Sequence, residues 1–361
     1  MTETDVQQSA PRVRFPGISP RAYEHPADKG AMATLRAVPG ISDVLKTLNS
    51  LWNERTERLL AVASFVRVSE TQYPVINRIH KEATEVLDLP KVPKLYVARS
   101  AEANAYTIGI DEPFIVLTSG LVEALDPEAL RFVIGHELGH VLSGHAVLLT
   151  LLRRLLNLQR NIQWVPLGAL GLRAVIAALY EWRRKAELSC DRAGLLVCQD
   201  PSASLRAHMY LAGATDLSQI DIPSFLEQAK EYEEVEDIRD SIIKLLETED
   251  RPHPFAVVRA SQLQRWAATE EYRAILAGDY KRRDAQDPQA NPLKEDFADA
   301  GKSYKESFTN STDPLIKVLS DVGGALSGAA DKVFSGFRRR PSDEDNNNDQ
   351  NNGGTGGGDK S

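Results

Sequence analysis

Cysteine is scarce in this chain, with two in 361 residues, and that excludes a disulfide scaffold. Cys190 and Cys198 stand eight apart in what reads as one helix, too far for a bridge there. Both read as buried free thiols in a reducing compartment. Basic excess is also missing: 43 Lys and Arg face 51 Asp and Glu, a net charge of −8. A nucleic-acid binder usually carries a positive balance or a basic stripe, so that partner class is set aside. Half of the net charge belongs to residues 341–361, where Asp343, Glu344, Asp345, Asp349 and Asp359 face Lys360 alone. Long apolar runs are absent too. The longest stretch without Asp, Glu, Lys or Arg is 138–152, 15 residues, and a spanning helix needs about 20. Residues 161–180 are apolar apart from Gln163 and Arg173 near the middle, where an Arg is costly in a bilayer. Both stretches read as buried or interfacial helices, with a hydrophobic hairpin dipping into a membrane as the alternative. The opening MTETDVQQSAPRVRF has no apolar signal-peptide core. The expected location is therefore cytoplasmic, with 146–180 and 315–340 as the segments that could touch a membrane surface.

What is present is mostly helical pattern. Residues 1–35, with Pro11, Pro16, Pro20 and Pro26, read as a flexible extension. Apolar residues at helical spacing predict helices over 41–62 and 72–88. The period then changes, and 95–98, 103–108 and 114–118 read as short strands, the last two joined by a hairpin-length connection. Asp126-Pro127-Glu128 opens the next helix as N-cap, first-position proline and first-turn acid. Helical pattern runs on to about 197, broken near Pro166, and restarts at Asp200-Pro201-Ser202. Two more helices are predicted over 222–249 and 254–277. Residues 36–280 form the expected main domain. Residues 281–313 read as a polar linker, 314–340 as an amphipathic helical segment ending in Arg338-Arg339-Arg340, and 341–361 as a disordered acidic Asn/Gly-rich tail.

The sharpest signal is His136-Glu137-Leu138-Gly139-His140. Histidines at i and i+4 lie about 40° apart on a helix, so both imidazoles reach one metal. Glu137 flanks that metal and can take a proton from its bound water. Catalytic zinc needs a third protein ligand. His145 lies about 180° round an unbroken helix from His136, and so reads as a structural partner rather than a ligand. Glu187 is the better candidate, on a helix that can run back beside the first. Asp191 follows it at i+4 and can accept the free N–H of a ligand imidazole.

The string IGHELGHVLSGH (134–145) with Glu187-x-x-x-Asp191 resembles the HtpX-like and CAAX prenyl endopeptidase-like zinc metallopeptidases, a gluzincin family. Asn104-Ala105-Tyr106 with Gly109, the segment Val116-Leu117-Thr118-Ser119-Gly120-Leu121, and His253-Pro254 with Arg259 are similar to further motifs of that family. The resemblance covers about 40–275. It implies an α+β, mostly helical, gluzincin-type domain with a small antiparallel sheet beside the zinc helix. It implies one Zn2+ per chain on His136, His140 and Glu187, with Glu137 as general base. It further implies that Asp191 orients His136, that His253 stabilises the oxyanion, that Arg259 organises this wall, and that Asn104 lines the cleft for peptide. The chain departs from integral-membrane relatives, which carry clear spans around the zinc motif.

The expected function is a zinc-dependent endopeptidase acting on protein or peptide substrates. The rival expectation is an interaction or scaffold protein, associated with a membrane surface, whose zinc site is structural or vestigial. Peripheral membrane contact through 315–340 or 146–180 fits either.

Overall fold

A computed structural model of the chain describes residues 12–37, 54–161, 168–234 and 255–283. Its elements are helices α1 (Pro26–Ala37) and α2 (Glu54–Ser64), strand β1 (Val66–Arg67), α3 (Pro74–Val86), β2 (Lys94–Ala98), β3 (Ala105–Ile108) and β4 (Phe114–Thr118). These are followed by α4 (Ser119–Ala124), α5 (Pro127–Leu142), α6 (His145–Asn161), α7 (Gly168–Cys198), α8 (Pro201–Ala212), α9 (Ile222–Glu234), α10 (Ala256–Ala267) and α11 (Glu270–Leu276). The fold is α+β and mostly helical, as expected. The expected helix over 254–277 is two helices, because Thr269 caps α11 by accepting from the Tyr272 N–H. Parts of the helices expected over 41–62 and 222–249, and the segments 314–340 and 341–361, lie outside the described residues.

α5 is the centre of the molecule. Asp126 Oδ1 accepts from the N–H groups of Glu128 and Ala129, at 3.0 and 3.1 Å, and so starts the helix where the sequence predicts. Every residue from 129 to 140 is buried, so α5 has no solvent face over those turns. Glycines make this possible. A Cβ on Gly135 would come within 2.6 Å of Val197 Cβ, and one on Gly139 within 2.8 Å of Ala193 Cβ. α7 can therefore run against α5 at backbone distance, which brings the side chains of 187–191 up to those of 136–140. α5 ends at Ser143, Gly144 adopts φ +71°, and α6 leaves at 91°. No single helix among the described residues is long and apolar enough to cross a membrane. The bent pair of α5 and the first part of α6 meets that test jointly, by length and composition.

The sheet has the order β1-β2-β4-β3 and is mixed rather than antiparallel throughout. β3 and β4 form the expected antiparallel hairpin, with Ala105 opposite Leu117 and Ile108 opposite Phe114. β2, however, pairs with β4 in parallel, from Lys94 opposite Phe114 to Ala98 opposite Thr118. The reason is burial. All five residues of β4 are buried, so this strand takes the middle position with a partner on each side. The connection 99–104 carries the chain past it, leaving β3 at the edge.

Residues 12–32, part of the stretch expected as flexible, are packed in part into the core. Phe15, Ile18 and Tyr23 have no exposed surface and join the main core with residues of α3, α5, α7 and α10. The Phe15 N–H donates to Val86 O at 2.8 Å, and the Ser19 N–H to Lys281 O at 2.9 Å. Ile18 bridges Arg282, so the segment ties α3 to the chain beyond α11. Ahead of α1 its backbone is largely irregular, but irregular backbone with three buried aromatic or branched side chains is held by the same burial that holds a helix.

Candidate metal centre

α5 and α7 meet with three ligand-type side chains pointing at one spot. His136 Nε2 and His140 Nε2 lie 3.2 Å apart. Glu187 Oε2 is 3.5 Å from His136 Nε2, and Glu187 Oε1 is 3.5 Å from His140 Nε2. All three residues are buried. A tetrahedral ion with bonds of about 2.0–2.1 Å needs ligand atoms roughly 3.3 Å apart. The donor set and its spacing therefore fit zinc. Glu187 is the third donor-type side chain at this spot, while His145 turns to other partners.

The neighbouring carboxylates and burial act in opposite senses on the two histidines. Burial by itself lowers the His136 pKa, but hydrogen bonds to Asp191 and Glu187 outweigh it and lift the value to about 9. Burial drives His140 the other way, to about 4. Asp191 Oδ1 accepts from His136 Nδ1 at 2.9 Å, which leaves Nε2 as the atom facing the site. Arg259 from α10 grips Asp191 with both arms, Nε to Oδ2 at 2.8 Å and Nη2 to Oδ1 at 2.6 Å. Its Nη1 lies 2.8 Å from Glu187 Oε2. Burial works against the Asp191 carboxylate, but the Arg259 charge prevails and holds its pKa well below the usual range.

Glu137 lies next to His136 on α5 and is completely buried. Thr107 of β3 donates its hydroxyl to Glu137 Oε2 at 2.6 Å. A narrow recess of about 10 Å³ is lined by Ala105, His136, Glu137, Leu211 and Arg259, among others. Asn104 stands at the start of β3, its N–H donating to Thr118 Oγ1 at 2.8 Å, and its Oδ1 is buried without a partner. His253 lies outside the described residues. The structure thus gathers His136, Glu137, His140, Glu187, Asp191 and Arg259, with Asn104 at the end of the neighbouring strand.

Sequence reasoning missed three participants. Thr107 carries no motif, and only the pairing of β3 beside α5 brings it to Glu137. His208 Nε2 approaches Asp191 Oδ2 at 3.4 Å from α8. Asp28, in the segment read as an extension, lies 3.3 Å from His145 Nε2.

The comparisons with known proteins agree with this geometry. The model of "Peptidase family M48" matches residues 70–267, the stretch from the start of α3 to the end of α10. The plastoglobule-localized metallopeptidase 48 of Arabidopsis thaliana is 34% identical over 277 residues, covering 75% of this chain and 79% of the plant protein. The protease HtpX homolog of Bacillus subtilis is 30% identical over 105 residues, 27% of this chain and 35% of its own length. That of Helicobacter pylori strain J99 is 43% identical over 70 residues, 18% and 23% respectively. The chain thus spans only about a quarter to a third of these HtpX relatives. No solved structure matches significantly. A family match that runs through α5, α7 and strands β2 to β4 settles the assignment: the chain belongs to peptidase family M48 and is a metalloprotease.

Proposed function

We propose that this metalloprotease hydrolyses internal peptide bonds with one zinc ion held by His136, His140 and Glu187, and with Glu137 as general base. The observation that carries the reading is the trio of ligand atoms at 3.2–3.5 Å with a buried carboxylate next to it. Zinc in this set supplies an activated water and polarises the scissile carbonyl. Glu137 takes the water's proton and delivers it to the leaving amine. Thr107 fixes the Glu137 carboxylate so that the base does not have to be oriented during the reaction. Asp191 holds the His136 tautomer, and the single positive charge of Arg259 sits between the two carboxylates it bridges, offsetting half of their charge. β3, at the sheet edge, offers backbone groups to which an extended peptide can add as a further strand, with Asn104 at its entrance. His253 is assigned the oxyanion from the family resemblance alone. Glu137→Gln is the test. The variant is expected to keep one equivalent of zinc and to lose cleavage of casein or a quenched peptide. Cleavage at the wild-type rate sinks the mechanism.

A further inference from the structure

Behind His140 lies a second group of ligand-type side chains that the reaction does not use. One ring nitrogen from each of His140 and His145 and the Cys190 Sγ lie within 4.8 Å of one another, all buried. Cys190 Sγ is 3.5 Å from His145 Nδ1. That is about the edge of a tetrahedral zinc site with one nitrogen and one sulfur at roughly 2.0 and 2.3 Å. The other nitrogen of His145, Nε2, lies 3.3 Å from Asp28 Oδ2. Asp28 Oδ2 also accepts from the Ser189 hydroxyl at 2.6 Å, and Ser189 Oγ in turn accepts from the His25 N–H at 2.9 Å. A carboxylate that holds the far N–H of an imidazole fixes its tautomer and turns the lone pair of Nδ1 toward Cys190. Asp191 and His136 form the same arrangement at the first site.

Two polar atoms here are buried without a partner: His140 Nδ1 and Asp28 Oδ1. His140 Nε2 is engaged toward His136 and Glu187, so Nδ1 is the nitrogen it has to offer. A Cys-His-Asp row also invites a reading as a hydrolytic nucleophile. Cys190 has no exposed surface, however, and burial pushes its thiol pKa well up. A substrate cannot reach it, whereas a bare ion is small enough.

We propose that Cys190, His145 and His140 form a second site for a thiophilic divalent cation of the zinc type, with His140 shared between the two ions. The sharing rests on the proposed role of His140 Nε2 at the first ion. Asp28 is a positioning residue for His145. One dication enters and two protons leave, from the Cys190 thiol and His140 Nδ1, so the charge of the buried cluster is unchanged. The carboxylates of Glu187, Asp28, Glu137 and Asp191, which oppose a bare thiolate at Cys190, favour a cation there. An imidazole stripped of both protons is an anionic ligand and weakens the first ion as a Lewis acid. Loading the second site is therefore expected to slow proteolysis.

The test is a cobalt titration of the metal-free full chain, because only a sulfur ligand gives the near-ultraviolet thiolate-to-cobalt charge-transfer band. The first site contains no sulfur. Wild type is expected to bind two equivalents, with the band rising on the second, and casein cleavage is expected to fall as the band grows. Cys190→Ser and His145→Ala should bind one equivalent without the band. Cys198→Ser should retain it, and in that variant Cys190 is the sole thiol, so the question stays answerable if Cys190→Ser does not fold. Glu187→Gln should lose the first equivalent and keep the band, which separates failure of the proteolytic site from failure of this one. No band in wild type or Cys198→Ser under excess cobalt overturns the proposal. So does a wild-type titration in which the band is complete at one equivalent and no second ion binds, since the ion then occupies Cys190 in place of Glu187.

Discussion

Asp191→Asn removes one charge and almost no volume, and it isolates what the carboxylate does for the centre. Asp191 is 1% exposed and receives both arms of Arg259 and the Nδ1 of His136. An amide can accept with one oxygen only, and its NH2 group would face a guanidinium or an imidazole N–H. Removing one partner of a buried ion pair costs about 3–5 kcal/mol, because the other charge stays behind unpaired. For a domain of this size that is a fall in Tm of roughly 6–20 °C. Loss of the carboxylate behind a ligand histidine weakens metal binding by about 10–100-fold. Thermal unfolding should be measured with and without a chelator, so that the ion pair is separated from the metal's own contribution by mass action. The pH dependence has a definite sign. The Asp191 pKa is depressed by Arg259, so its stabilisation is complete above the ordinary value of 3.8 and is lost as pH falls below that toward the folded pKa. The gap between wild type and variant should therefore close in strong acid. Wild-type Tm together with wild-type metal affinity at neutral pH would refute the reasoning.

Thr107→Val removes the hydroxyl on Glu137 and leaves the ligands alone. A hydrogen bond to a charged group contributes about 1.5–3 kcal/mol, so kcat should drop at least roughly tenfold with zinc content unchanged, as read by a quenched peptide and metal analysis. Gly135→Ala places a methyl group 2.6 Å from Val197 Cβ, and the overpacking should cost about 1–3 kcal/mol in denaturant unfolding. Phe15→Ala should cost about 3–5 kcal/mol by the same measurement, since the side chain has no exposed surface. A mutation at Phe15 without effect on stability would restore the reading of residues 12–35 as an extension.

That His136 and His140 share one face was legible because helical geometry is local. Four residues along α5 return a side chain to the same face, whatever surrounds the helix. The same holds for Glu187 and Asp191 on α7. That these two pairs meet was an inference from a break near Pro166, and it holds because Gly135 and Gly139 let α5 and α7 approach. Thr107 is 30 residues from Glu137, and Arg259 is 68 from Asp191. Of these two only Arg259 carried a signal, the resemblance of the segment around it. The parallel pairing of β2 with β4 escaped notice because strand periodicity shows which residues alternate, not which strand lies beside which. The packing of residues ahead of α1 escaped because irregular backbone leaves no period to read.

The sequence by itself determined the chemistry of this protein: which residues can bind a metal, which can take a proton, and which local spacing presents them together. Spacing within one helix is a property of the backbone alone. Only the tertiary structure decided what surrounds them. It set Thr107 on Glu137, Arg259 between two carboxylates, and Asp28 behind His145. Those contacts join residues far apart in the chain, and they form where burial of α5 on all sides leaves no water to satisfy a polar group.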